Sequence, residues 1–146
     1  MKNFIISITL LTVFSFLFGQ ENQKKSARLE INIEGLQNNK GKVLVAVNDS
    51  EENYSDHDGE VYKGAVSKIA DKKAVVVFND IPFGVYAVKV FHDENDNGEL
   101  DSNFMHIPQE PYGFSNNARG TFGPASWDDA KFEIKTDSLA ISIMVE

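Results

Sequence analysis

Between Tyr86 and Asp101 the chain reads Y-A-V-K-V-F-H-D-E-N-D-N-G-E-L-D, an apolar run that ends in carboxylates and amides around one glycine. Counted from Asp93 as position one, Asn95, Asn97, Gly98 and Asp101 stand at positions three, five, six and nine. This is the front of a calcium loop. Calcium takes about six to eight oxygens in a flexible shell; alternate short Asp and Asn side chains can turn inward together, and glycine at position six permits the sharp bend. The carbonyl of Glu99, at position seven, offers another oxygen. Position twelve is Phe104, where a helix-loop-helix site places a bidentate glutamate, and no helical pattern flanks the loop, so an EF-hand is excluded. The missing carboxylate must come from elsewhere, with Glu110, Asp128 and Asp129 as candidates. The expected metal set is therefore Asp93, Asn95, Asn97, Glu99, Asp101 and Glu110, holding calcium in the range of extracellular modules, on the order of 10⁻⁴ to 10⁻³ M. The competing reading is turn chemistry with solvated charges, for which Asp-Asn-Gly is equally suited.

Other residues offer other chemistry. Tyr112, Phe114 and Trp127, with Phe104 and Phe122, concentrate aromatics in one stretch. They read either as a stacking platform for a sugar or peptide, or as a satellite cluster that packs a loop onto the body of the domain. His92 and His106, with Glu110, would serve a metal-dependent hydrolase, but their spacing matches no zinc motif. Ser115 lies in G-F-S-N-N rather than in a nucleophile elbow. The expectation is a protein that is not an enzyme.

The elements that must position these residues are strands. Ala27, Leu29, Ile31 and Ile33 alternate with polar residues, the period of a half-buried strand. Lys42 to Val47 is β-branched and apolar on both faces, and Val61 to Ala70 is weakly extended. Ala74 to Phe78 and Val85 to Phe91 flank Ile81-Pro82-Phe83-Gly84 and suggest one hairpin; Ala130 to Lys135 and Leu139 to Val145 suggest another around Thr136-Asp137-Ser138. No segment shows an amphipathic helical period. Six or seven such strands predict an all-β fold, an antiparallel Ig-like or transthyretin-like β-sandwich. Asp93 to Asp129, 37 residues without sustained period, is expected to be one long ordered loop.

Composition bounds the rest. Residues 1–19 carry Lys2 and then a short apolar run, Phe4 to Phe18, which suits a signal peptide cleaved after Gly19; the alternative is an uncleaved anchor. Residues 20–26 are a polar lead-in, and 27–146 form a single domain, with no span left after cleavage. The expected location is outside the cytoplasm, periplasmic or extracellular. With no cysteine, no disulfide staples the fold. A net charge of −8 disfavours nucleic acid and anionic lipid surfaces as partners, leaving an extracytoplasmic protein, peptide or glycan.

F-N-D-I-P-F-G-V-Y-A-V-K-V-F-H-D-E-N-D-N-G-E-L-D, followed by I-P-Q-E-P-Y-G-F-S-N-N, resembles the exported proteins grouped as domain of unknown function 2141. The resemblance covers roughly Leu29 to Val145. It implies a transthyretin-like or carboxypeptidase-regulatory-like sandwich of uncharacterised role. The family pattern falls on Gly84, Tyr86, His92, Asp93, Asn95, Asn97, Gly98 and Asp101, then on Pro108, Glu110, Gly113, Phe114 and Ser115. It also implies that Glu110 and the first loop act at one place.

Overall fold

The computed structural model describes residues 25–56 and 60–146, so the leader expected over residues 1–19 lies outside the described residues. The described chain contains β1 (Ser26–Glu34), β2 (Lys42–Asn48), α1 (Glu51–Ser55), β3 (Lys63–Ser67), β4 (Ala74–Pro82) and β5 (Gly84–Asp93). After a long excursion follow β6 (Tyr112–Phe114), α2 (Trp127–Ala130), β7 (Phe132–Ile134) and β8 (Ser138–Met144). One sheet has the order β4-β1-β8, and the other β3-β2-β5-β6 with β7 also paired to β5. The all-β sandwich expected from the strand pattern is the architecture found.

Side-chain alternation builds the core. Leu29, Ile31 and Ile33 point inward from β1 and are fully buried. They pack with Val43 and Val45 of β2, Val88 and Val90 of β5 and Ile143 of β8 in one apolar cluster. Each such aliphatic contributes about 1.5–3 kcal/mol when fully removed from water. A second, smaller cluster of Tyr54, Ala87, Phe114, Ala125 and Ala130 lies apart from the first, with Trp127 packed against it.

Neither expected hairpin forms. β4 pairs with β1, whereas β5 pairs with β2 and β6, so the corner at Phe83 carries the chain from one sheet to the other. The corner is pinned by Phe83 N–H donating to Lys25 O and by the Tyr86 hydroxyl donating to Pro82 O. Likewise β7 pairs with β5 while β8 pairs with β1. Apolar alternation shows which side chains a strand buries; which neighbour takes its backbone groups is set by the corner, and alternation is silent on it. The sandwich also departs from pure antiparallel order, because β8 runs parallel to β1 from Arg28↔Ser138 to Glu34↔Met144.

The stretch expected as one loop is divided. β6 and α2 interrupt it, each too short to display a period. Tyr112 N–H donates to Glu146 O and Glu146 N–H to Tyr112 O, which ties β6 to the chain end beyond β8. Gly113 makes that approach possible: a Cβ there would stand 2.5 Å from Met144 O. The helical turns α1 and α2 were not legible as helices, yet each has a serine cap, Ser50 accepting from Asn53 N–H and Ser126 from Asp129 N–H.

Candidate binding groove and acidic loop

The acidic loop begins where β5 ends. Lys42 lies opposite Asp93 in the β2–β5 register, and Gly41, at φ +62°, lets the two chains meet so closely that a Cβ would fall 1.9 Å from Asp93 O. The Asp93 side chain is completely buried. Its Oδ1 accepts from Asn97 N–H at 3.1 Å and its Oδ2 from Gly98 N–H at 2.8 Å. Lys42 Nζ stands 3.2 Å from the same Oδ2 and 3.3 Å from Asp96 Oδ1. Burial alone would raise the Asp93 carboxyl pKa; the Gly98 N–H, the Lys42 ammonium and the Asn97 N–H outweigh it and hold the group below its usual value. Lys42 is correspondingly raised, chiefly by its hydrogen bond to Asp93.

The alternate side chains do converge. Asn95 Oδ1 accepts from Asn97 N–H, and Asn97 Oδ1 from Glu99 N–H. The Asn95 and Asn97 amides donate to the two oxygens of Asp101, at 2.6 and 3.0 Å. Glu110 reaches the loop from outside: its Oε1 accepts from Glu94 N–H at 2.8 Å and its Oε2 from Asp101 N–H at 3.0 Å. One carboxylate thus clips both ends of the loop, and Glu110 and the loop do occupy one place. Glu99 contributes its N–H. Asp128 and Asp129 stay within α2, pairing with Lys131 and capping with Ser126. Among the described residues no three carboxylate or imidazole groups are arranged to hold a metal.

His92 and Ser115 are engaged in hydrogen bonds to the backbone, and His106 lies on the lining of the groove described below. His92 is buried at the end of β5, its Nε2 2.7 Å from Lys40 O, and its Nδ1 lies 3.6 Å from Glu94 Oε1. Ser115 Oγ donates to Ala130 O and accepts from Val88 N–H between the stretches of β5 paired to β7 and β6. Asn116 donates to the carbonyls of Asp129 and Lys131, and Asn117 Oδ1 accepts from Met144 N–H. The S-N-N run is a strut joining β5, α2 and β8.

Beside the acidic loop, the chain forms a groove of about 740 Å³. Its floor follows from strand register: Val66, Leu44, Phe91 and Tyr112 are paired in turn across β3, β2, β5 and β6, so their side chains share one face. Phe91 and Tyr112 line the groove, and Leu100, Met105, Pro108 and Phe122 reach over it from the loops. Met105 sits at the tip of a small hairpin in which Ser102 bridges Pro108 and Asn103 Oδ1 accepts from the N–H groups of Met105 and Ile107. Phe104 and Phe122 are 92 and 102 % exposed. They are therefore no part of a satellite core.

The three aromatics expected to bind ligand pack in one satellite cluster around Tyr54, and two of them reach the groove. Tyr112 and Phe114 both line the groove, Phe114 with most of its ring buried against Tyr54; Trp127 packs edge-on to Tyr54 at 5.8 Å and does not line the groove. Sequence reasoning missed Lys89, Phe91, Leu100 and Met105. The available signal was the phase of β5, where Tyr86, Val88, Val90 and His92 face inward and an outward Phe91 has no core to fill.

These features define an acidic β-sandwich whose loops stand over an apolar groove on one sheet. The chain belongs to the family described as uncharacterized protein conserved in bacteria (DUF2141), whose model matches residues 31–142. No curated protein and no solved structure matches the chain.

Proposed function

We propose that this protein is an exported, non-catalytic binding module whose groove beside Phe91 receives a ligand and whose acidic loop holds the groove's roof. The observation that carries this reading is the pair of solvent-facing apolar side chains, Met105 and Phe122, at a groove within the size range of small-molecule sites. Asp93 and Glu110 support it mechanically. Their hydrogen bonds to loop N–H groups fix Leu100 and the hairpin that follows. The test is 1-anilinonaphthalene-8-sulfonate fluorescence with the folded domain. Enhancement that disappears in Met105→Ser/Phe122→Ser, at unchanged melting temperature, is expected; equal enhancement in the variant contradicts the groove as the site. Export predicts a mature N-terminus at Gln20, read by N-terminal sequencing of protein recovered outside the cytoplasm.

Calcium binding is a second role for the acidic loop, supported by the convergence of Asp93, Asn95, Asn97 and Asp101. These residues fit a hard cation in donor type, since all offer oxygen. Bound there, calcium would supply charge neutralisation and order. Lys42 already supplies a cation to Asp93 and Asp96, and both Glu110 oxygens are engaged by backbone N–H groups. Calcium therefore enters only by displacing Lys42, with affinity in the weak range.

A further inference from the structure

The groove's charge runs against that of the protein. The chain carries 22 acidic side chains and a net charge of −8, yet among the described residues no carboxylate lines the groove. Its ionisable lining groups are Lys89, His106 and Tyr112. Lys89 rises from the floor between Phe91 and Ala87, partly buried, and also borders the neighbouring depression over Leu44 and Val66. Its ammonium stands 4.6 Å above the Tyr54 ring. Among the described residues Lys89 makes no salt bridge or hydrogen bond; the charge of Asp56, which lies on the side of the neighbouring depression and not on the groove's lining, acts on it and raises its pKa, by less than desolvation lowers it. Desolvation lowers its pKa, consistent with an ammonium kept from bulk water by apolar walls.

A cation over an aromatic face, set in apolar walls with no carboxylate among the groove's described lining residues, is complementary to a ligand that brings one negative charge on an apolar body. We propose that the groove binds an amphiphile with a single carboxylate, its head at Lys89 and its hydrocarbon body between Phe91 and Tyr112 below and Leu100, Met105 and Phe122 above. The proposal rests on the groove being a binding site and adds the ligand's chemical class. Tyr112 and Ser102 stand on the lining as polar groups for the second carboxylate oxygen. A dianionic or polyanionic ligand is disfavoured, because the groove's rim is the acidic loop itself. A cationic amphiphile is opposed by Lys89.

The experiment is calorimetric titration of the mature domain at neutral pH with dodecanoate, and with dodecanol as the neutral probe of the same length. Dodecanoate binding is expected to weaken about ten- to a hundredfold in Lys89→Met, which keeps the apolar stem, and to stay within about threefold of wild type in Lys89→Arg. Dodecanol should bind more weakly than dodecanoate and respond little to either change. Melting temperature checks that both variants fold, and the comparison of dodecanoate with dodecanol on the wild-type domain carries the test if Lys89→Met does not. Dodecanol binding as tight as dodecanoate, or dodecanoate affinity unchanged in Lys89→Met, would overturn the carboxylate assignment. If 1-anilinonaphthalene-8-sulfonate still responds to Met105→Ser/Phe122→Ser in that case, the groove reading stands while the ligand class falls.

Discussion

At the scale of single residues, Asp93 has the most to lose from a change of charge. Its folded carboxyl is held below the ordinary value of 3.8, so it contributes stability that is present above that value and lost as pH falls through the depressed one. Lys42, raised above 10.5, contributes below that value and loses its part as pH rises through the raised one. Between these limits the pair is intact. Urea denaturation of wild type and Asp93→Asn should differ most near neutrality and converge as pH is lowered from about 5 to about 2; a gap that stays constant over that range would show that the carboxyl charge is not what the loop uses. Lys42 carries a second prediction. Lys42→Met leaves a buried carboxylate without its cation, so it should melt lower than wild type in chelator and recover with millimolar calcium but not magnesium. A melting temperature indifferent to calcium in both proteins would remove the ion from the account.

At the scale of elements, the corners decide the fold. Gly113 illustrates this, since a Cβ there meets Met144 O at 2.5 Å and Ile143 Cγ2 at 3.0 Å, neither the free end of a flexible chain. Gly113→Ala should cost about 1–3 kcal/mol in urea denaturation by forcing β6 away from β8; a neutral substitution would mean the two elements are not held so closely. Strand identity was legible because β1 and β5 write their burial into alternating residues. Partnership was not: Pro82-Phe83-Gly84 looks the same whether it closes a hairpin or carries the chain between sheets. β6 stayed hidden because three residues cannot show a period, and its position depends on backbone contacts with Glu146, far away in sequence. The acidic loop was legible for the opposite reason. Asp93, Asn95, Asn97 and Asp101 interact within a few residues of one another, so their spacing nearly determines their geometry. Lys42 was not, because its approach to Asp93 depends on strand register.

At the scale of the whole molecule, an acidic sandwich surrounds a groove with a basic floor. That contrast arises from outward positions of one sheet, Lys89 and Phe91, and from loops that bring Leu100, Met105 and Phe122 over them. Phe122 is fully exposed, so Phe122→Ser should change stability by no more than about 0.5 kcal/mol in thermal or urea unfolding while weakening binding. A large loss of stability would make it a packing residue instead. The most direct test of the groove is a two-dimensional amide NMR titration of the mature domain with dodecanoate below its micelle concentration. Saturable shifts confined to Lys89–Phe91, Leu100–Pro108, Tyr112–Phe114 and Phe122–Pro124 are the predicted result. Shifts centred on the outer face of the β4-β1-β8 sheet, or none at millimolar ligand, would contradict it.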